Sequence, residues 1–370
     1  MINIYEVNLT KLLYVHYFVV CILLFVIAFA AGCTGIVPKM SGTTCTTVSE
    51  LWNYTTGNFV YSRPAIVNSV VYVGSYDDNV YALNATTGTK VWNYSTGSDI
   101  YSSPTVEKSI VYVGSNDGNV YALNATTGTK IWNYMTGGEV LSSPTVANGV
   151  VYVGGNDGNI YALNATIGAK IWNYTIGGPV YSRPAVANNV VYIGSFDCNI
   201  YALKATTGTK IWNYTTQGEI PSSPAVAQGV VYVWSFDDNV YALNASTGSP
   251  IWYYTTGRGR DVGSSPVVVN GVVYMGSGDY NVYALNASTG LAIWNYTTGW
   301  LVGSTPAVAN NVVYIGSADD NVYALNASTG AKIWNYTTGS YVWSSPAVTN
   351  GVVYVGSMDH KVYALNTNVD

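Results

Sequence analysis

Apolar runs and polar turn residues alternate along this chain in a pattern that returns about every 40 residues. Within one period, "SSPTVAN" is a short apolar segment, "GVVYVGS" and "NVYALN" are nearly continuous apolar runs, and "KIWNYTTG" alternates apolar and polar positions. Asn-Gly or Asn-Asn, Asp-x-Asn and Asn-Ala-Thr-Thr-Gly separate these segments, and each is a turn signal. One period therefore predicts four β-strands joined by tight turns, without a helix.

A tryptophan in the fourth segment marks each period. The spacing is 40 residues, with one step of 42, and the positions are Trp52, Trp92, Trp132, Trp172, Trp212, Trp252, Trp294 and Trp334. Four-stranded units of this length that follow one another without helices are typical of β-propeller blades, since each small sheet can bury its faces only against its neighbours. The sequence thus predicts an all-β propeller.

The ends of the repeat region predict how the ring closes. The chain enters the repeat at a fourth segment, from Leu51, and leaves it after a third segment that ends at Asn366. We expect the N-terminal strand to complete the last blade, because an open array would leave unpaired strand edges. Residues 51–370 are therefore predicted to form an eight-bladed β-propeller of four-stranded blades.

The first 33 residues differ from the rest. They contain the apolar run "LLYVHYFVVCILLFVIAFAAGC", which is typical of an export or membrane segment. Its end, Ala30-Ala31-Gly32-Cys33, resembles a lipoprotein processing site, so Cys33 is a candidate lipidation site. An uncleaved membrane anchor and ordinary secretion are the alternatives. Residues 34–50 form a polar linker, and we expect the propeller to lie outside the cytoplasm, tethered to a membrane.

The motif around each tryptophan resembles a known repeat family. Ala82 to Trp92 fits the pattern A-x-(D/N)-x-x-x-G-x-x-x-W of quinoprotein-type, PQQ-like propeller repeats. The pattern recurs from Ala122, Ala162, Ala202, Ala242, Ala284 and Ala324, and the copy from Ala202 differs only in having Lys204 at the Asp/Asn position. The resemblance implies a propeller in which the eight tryptophans dock each blade on the next. Members of the family include alcohol dehydrogenases, the propeller lipoprotein of outer-membrane assembly and surface proteins of archaea, so it implies no single function.

The residues offer little for catalysis. The dehydrogenases that the chain resembles carry a quinone, a calcium ion and often a pair of adjacent cysteines, whereas this chain has no Cys-Cys pair and only two histidines, His16 and His360. The aspartates of the second turns recur in every blade, and an Asp-x-Asn turn uses its carboxylate to accept a backbone N–H. We predict no catalytic residue, metal or cofactor, and we keep a quinone- or calcium-dependent dehydrogenase as the least favoured alternative.

Variation between repeats concentrates at one end of the blades. We call this end the top face; it carries the turns after the second strands and the connections from each fourth strand to the next blade. Arginine and aromatic residues are the types that dominate interface energies. The candidate binding residues of the top face are Arg63, Arg183, Trp234, Arg258, Arg260, Trp300, Trp343 and His360. The alternative is that these loops simply tolerate variation, although the turns at the opposite, bottom end hardly vary.

Charge and glycosylation signals add to this picture. The net charge is −5 and no basic run exists, which excludes a surface that follows nucleic-acid phosphates. Most acidic residues map to the top face, and lysines follow the bottom turns. Asn-x-Ser/Thr sequons, which duplication has copied, make glycosylation candidates of Asn53, Asn84, Asn93, Asn124, Asn164, Asn173, Asn213, Asn244, Asn286, Asn295, Asn326 and Asn335.

These observations favour a non-catalytic propeller at the cell surface that binds a protein or glycan partner through its top-face loops as a monomer. The first alternative is an envelope-assembly scaffold, similar to the outer-membrane-assembly lipoprotein, that offers strand segments to partner chains.

Overall fold

The computed structural model describes residues 48–257 and 263–367, and every regular element in these ranges is a β-strand. Seven blades follow one another along the chain, and the eighth combines both ends of the repeat region. Blades I to IV contain the following strands: blade I, β2 (Ala65–Val67), β3 (Val70–Gly74), β4 (Asn79–Asn84) and β5 (Lys90–Ser95); blade II, β6 (Thr105–Glu107), β7 (Ile110–Gly114), β8 (Asn119–Asn124) and β9 (Lys130–Met135); blade III, β10 (Thr145–Ala147), β11 (Val150–Gly154), β12 (Asn159–Asn164) and β13 (Lys170–Thr175); blade IV, β14 (Ala185–Ala187), β15 (Val190–Gly194), β16 (Asn199–Lys204) and β17 (Lys210–Thr215). Blades V to VII contain the following strands: blade V, β18 (Ala225–Ala227), β19 (Val230–Trp234), β20 (Asn239–Asn244) and β21 (Pro250–Thr255); blade VI, β22 (Val267–Val269), β23 (Val272–Gly276), β24 (Asn281–Asn286) and β25 (Ala292–Thr297); blade VII, β26 (Ala307–Ala309), β27 (Val312–Gly316), β28 (Asn321–Asn326) and β29 (Lys332–Thr337). Blade VIII contains β30 (Ala347–Thr349), β31 (Val352–Gly356), β32 (Lys361–Asn366) and the N-terminal strand β1 (Ser49–Thr55).

Each blade is one antiparallel four-stranded sheet, and in seven of the eight neighbouring pairs of blades the first strand of one contacts the first strand of the next. In blade VIII the order is β1-β32-β31-β30, with Trp52 opposite Ala364 and Thr55 opposite Lys361. β30 in turn contacts β2 of blade I. The prediction of an eight-bladed propeller that the N-terminal strand closes is therefore confirmed.

The burial of each strand follows its place in the blade. The second and third strands are buried along nearly their whole length, because neighbouring blades cover both of their faces. The fourth strands alternate between exposed and less exposed residues, as expected for the outer edge of a sheet. The continuous and the alternating patterns in the sequence thus reflect two different positions in one sheet.

The tryptophans join consecutive blades. Trp92 Nε1 of blade I donates to the carbonyl oxygen of Ala125 in blade II over 2.9 Å, and Tyr72 donates its hydroxyl to the same oxygen. The indole also lies against Gly128, where φ is +73° and an added Cβ would come within 2.7 Å of the ring. Glycine is needed there both for the left-handed backbone and for the close approach of the ring. The bond to an alanine carbonyl recurs from Trp52 round to Trp294.

Replacing one of these tryptophans should cost a large part of the stability. Trp92 is 8% exposed, and Trp92→Ala removes its indole from between two blades, which we expect to lower the free energy of unfolding by about 3–5 kcal/mol. Chemical denaturation measures the loss. Trp300→Ala is the matched control, because that indole is 40% exposed and should contribute less than about 1 kcal/mol. Equal losses in the two variants would contradict the docking role.

The predicted N-terminal segment 1–33, with Cys33, lies outside the described residues, as does most of the linker. Their export, lipidation and anchoring stay predictions. Within 48–257 and 263–367, no helix is long and apolar enough to cross a membrane.

Candidate binding surface on the top face

The aspartates of the top hairpins hold the surface together. In blade II, Asp117 accepts the N–H of Asn119 within its own turn, the hydroxyl of Tyr121 on β8, and the N–H of Gly97, which follows β5 of blade I. The same set surrounds Asp77 in blade I. Each carboxylate therefore ties a top turn to the preceding blade, a link that goes beyond the predicted turn.

Ionisation in this network follows from its hydrogen bonds. Burial raises the pKa of Asp117, but hydrogen bonds from Tyr121, Asn119 and Gly97 outweigh burial and leave the pKa below its usual value. Burial, followed by the hydrogen bond to Asp117 and the carboxylate charge, raises the pKa of Tyr121 well above its usual value. The pair is stable as a carboxylate that accepts from a neutral phenol.

Aromatic side chains gather on the top face where blade VIII meets blades I and II. The rings of Tyr61 and Tyr76 lie 4.7 Å apart, Tyr61 and Tyr101 lie 5.5 Å apart, and Phe59 meets His360 edge-on at 5.1 Å. These distances are typical of favourable aromatic pairs. We call this group, Phe59, Tyr61, Tyr76, Tyr101 and His360, the tyrosine cluster.

A cavity of about 380 Å³ opens beside the tyrosine cluster. It is lined by Tyr61, Tyr101, Gly263, Gly303, Tyr341, Trp343 and Met358. The wall is thus formed mainly by aromatic rings, and two glycines leave room between them. A Cβ at Gly303 would come within 2.1 Å of the Trp343 ring, so glycine there lets the indole of blade VIII lie close against the backbone of blade VII.

The structure brings two of the predicted binding residues together and separates others. Trp343 lines the cavity, and His360 belongs to the adjacent tyrosine cluster. Trp300 is exposed elsewhere on the top face, where it stacks on Tyr280 at 5.4 Å and 11°. Arg258 and Arg260 lie outside the described residues and stay predictions.

The prediction of Trp234 as a binding residue is wrong. Its side chain is only 1% exposed and packs in the apolar core with Met275, Leu301 and Phe236. A glycine ends the second strand in the other blades. At Gly194, for example, an added Cβ would come within 2.5 Å of Ile220 in the next blade, so this position points between blades and not toward solvent.

Arg63 and Arg183 also lie away from the exposed rim. Both line cavities enclosed by the first strands, on the propeller axis. Their place at the start of a first strand carries the side chain inward, so they do not contribute to the aromatic surface.

Phe59 and Tyr341 are residues of this surface that the sequence analysis missed. The corresponding position is acidic in four of the six other blades, at Asp99, Glu139, Glu219 and Asp261. An alignment of the repeats shows that an aromatic ring replaces the carboxylate before the first strands of blades I and VIII. This replacement is the sequence feature that points to Phe59 and Tyr341.

The repeat family is established by comparison with known proteins. A family model described as "Outer membrane protein assembly factor BamB", of the PQQ-like repeat type, matches residues 34–104, 96–180, 176–300 and 297–369. The chain belongs to this family. The resemblance to PQQ-like repeats is thereby confirmed. A comparison with curated proteins found no significant match.

Solved structures share the fold at low sequence identity. BamB from Moraxella catarrhalis has a TM-score of 0.74 and 22% identity, with 86% of this chain and 100% of that chain covered. The computationally designed Ika8 protein has a TM-score of 0.77 and 18% identity, covering 85% and 98%. A europium-containing methanol dehydrogenase has a TM-score of 0.73 and 15% identity, covering 86% and 93%. Proteins that share this fold thus include BamB, a computationally designed protein and a methanol dehydrogenase.

The donor groups on the axis do not fit the metal of such a dehydrogenase. Hard cations require several carboxylate or carbonyl oxygens. The two axial cavities are lined by serine and threonine hydroxyls, two guanidinium groups and apolar side chains, without an acidic residue. Across the described ranges, no group of three or more His, Cys, Asp or Glu residues is placed to hold a metal ion.

The two kinds of sequon lie in different surroundings. Asn84 and its counterparts use the side-chain oxygen to accept two N–H groups of the bottom turn, at 2.9 and 3.0 Å in blade I. Asn93, on the exposed fourth strand, donates to Asn79 across the sheet. Each asparagine therefore has a structural role, and glycosylation stays a prediction.

Proposed function

We propose that this member of the BamB-like family is a non-catalytic, membrane-tethered propeller outside the cytoplasm that captures a protein partner on its top face. The observation that carries the proposal is the tyrosine cluster with the adjoining cavity, which together form one aromatic surface on the top of blades VIII, I and II. Tyrosine and tryptophan provide a large contact area at a small entropic cost, and their polar atoms remain available to a partner.

Two further observations support a protein as the partner. The related solved protein BamB is named as an assembly factor, and the family model carries the same description. The acidic residues of the other blades border the aromatic surface on the same face, since Asp99 and Glu139 occupy the repeat position of Phe59. An apolar segment flanked by basic residues would complement such a surface.

Site-specific crosslinking on intact cells tests the proposal. A photoreactive benzoylphenylalanine replaces Tyr101, which is 39% exposed beside the cavity. We expect a discrete protein adduct, because the probe lies at the centre of the proposed surface. Trp343→Ala should reduce the adduct about 30-fold, as expected for a central aromatic residue that contributes roughly 2 kcal/mol.

A probe at Tyr253 provides the matched control. This side chain is 68% exposed on β21, at the outer edge of blade V. Adducts from Tyr253 but not from Tyr101 would contradict the proposal and favour the scaffold that pairs partners with its edge strands. An adduct from Tyr101 that glycosidase treatment removes would identify a glycan as the partner.

A further inference from the structure

A ring of hydroxyl groups surrounds the axis just before the first strands. The ring position is serine or threonine in six blades, at Ser103, Ser143, Ser223, Ser265, Thr305 and Ser345. All six of these hydroxyls accept the backbone N–H of the same position in the preceding blade, as when Ser103 N donates to Ser143 Oγ over 2.9 Å. A short hydroxyl side chain therefore serves the fold at this position.

Arg63 and Arg183 replace the hydroxyl in blades I and IV. An arginine side chain has no acceptor, so neither residue can take the bond that serine would take there. Arg183 extends across the axis instead: its Nε donates to Thr145 Oγ1 of blade III over 3.0 Å, and its Nη2 donates to Thr105 Oγ1 of blade II over 3.2 Å. The Arg183 guanidinium of blade IV therefore points toward blade I, which contains Arg63.

The threonines hold the Arg183 guanidinium in a fixed orientation. Thr105 and Thr145 each donate their own hydroxyl hydrogen to a proline carbonyl of the next blade over 2.6 Å. Their lone pairs are thereby directed to the guanidinium. Two of the five N–H donors of Arg183 are used in this way, and the others remain for a further acceptor.

The two cations share a site without a counter-charge. Arg63 and Arg183 line the same two axial cavities, of about 160 Å³ and 390 Å³, and the remaining lining is hydroxyl-bearing or apolar. Within the described residues, the Arg63 guanidinium makes no side-chain hydrogen bond or ion pair. Burial lowers the pKa of Arg63, and burial together with the charge of Arg63 lowers the pKa of Arg183 to about 10. Two enclosed like charges with unused donors destabilise the site unless an anion neutralises them.

We propose that the axial cavity between Arg63 and Arg183 is a binding site for a small oxyanion of the phosphate or dicarboxylate class. Guanidinium groups bind such oxygens in pairs through their planar fork, and two forks directed to one cavity match a compact anion with oxygens on both sides. The larger cavity runs along β2, β6 and β30 toward the bottom turns, and its size accommodates such a molecule. The site is separate from the aromatic surface of the top face.

Calorimetric titration of the full-length protein with inorganic phosphate, and separately with malonate, tests the site. We expect saturable binding of at least one anion at constant ionic strength. Arg63→Ser and Arg183→Ser should each weaken binding about tenfold or more, since each removes charge-assisted hydrogen bonds. Serine already occupies this ring position in other blades, so both variants should fold.

The double variant Lys90→Ser/Lys130→Ser is the matched control, because it removes two positive charges from the bottom face and should leave binding unchanged. Without added anion, Arg63→Ser/Arg183→Ser should also resist denaturation better than the unsubstituted protein, since serine relieves the like-charge contact. Preference for phosphate or for malonate identifies which oxyanion fits. Absence of binding by either anion, or equal binding by the arginine double variant, would overturn the proposal.

Discussion

Raising the pH above about 10 should unfold this propeller in one steep step, and not ionise its tyrosines one after another. Eight tyrosines of the third strands donate their hydroxyls to the hairpin aspartates of their own blades: Tyr81, Tyr121, Tyr161, Tyr201, Tyr241, Tyr283, Tyr323 and Tyr363. Burial first, and then the hydrogen bond and charge of the aspartate, raise the pKa of each phenol well above its usual value.

The sign of the effect follows from proton linkage. A phenol whose pKa is higher in the folded state stabilises that state fully below the unfolded pKa of about 10, and the stabilisation is lost as the pH rises toward the folded pKa. Each such tyrosine lowers the free energy of unfolding by about 1.4 kcal/mol per pH unit in this window, and eight together by about 11 kcal/mol. This is comparable to the whole stability of an ordinary domain.

Parallel records of phenolate absorbance and circular dichroism measure the transition. We expect the phenolate signal of these tyrosines to appear together with the loss of β-structure. Tyr253→Phe is the control, because that ring is 68% exposed on an outer strand and its loss should not move the midpoint. Gradual ionisation while the β-sheet signal persists would contradict the prediction.

The architecture was predictable because it depends on patterns that repeat. Trp92 recurs in eight copies and its glycine partner in the next blade recurs in seven, so the copies together specify one blade and one way to dock it. The role of the aspartates was only partly predictable. The turn bond from Asn119 N to Asp117 is local, but the bond from Gly97 N crosses between blades and depends on how the two sheets are stacked.

The candidate surface was less predictable, because departures from a repeat do not show which way a side chain points. Trp343 and His360 were placed on the top face and lie there beside the tyrosine cluster. Trp234 departs from the repeat as clearly, yet it fills a space between blades. Arg63 lies on the axis, because the chain turns inward just before β2. The packing of neighbouring blades decides which way a side chain points, and the sequence of one repeat does not reveal this packing.

Deleting the N-terminal strand should open the ring. β1 pairs with β32 along Ser49–Thr55, and Trp52 donates to Ala85 of blade I, so this strand belongs to blade VIII and docks on blade I. A chain of residues 56–370 loses the indole, for which burial alone contributes about 3–5 kcal/mol, and exposes the edge of β32. We expect this chain to aggregate or unfold, measured by light scattering after size-exclusion chromatography and by chemical denaturation.

Residues 49–370 provide the matched control, because this chain keeps β1 and lacks only what precedes it; we expect a folded monomer. A synthetic peptide of residues 49–57, added to the chain of residues 56–370, should restore the monomer by pairing with β32. The same peptide with Trp52→Ala should restore it poorly, because pairing alone does not dock blade VIII on blade I. If the chain of residues 56–370 were as stable as the chain of residues 49–370, the prediction would be contradicted, because pairing of β1 with β32 would then contribute nothing to the free energy of unfolding.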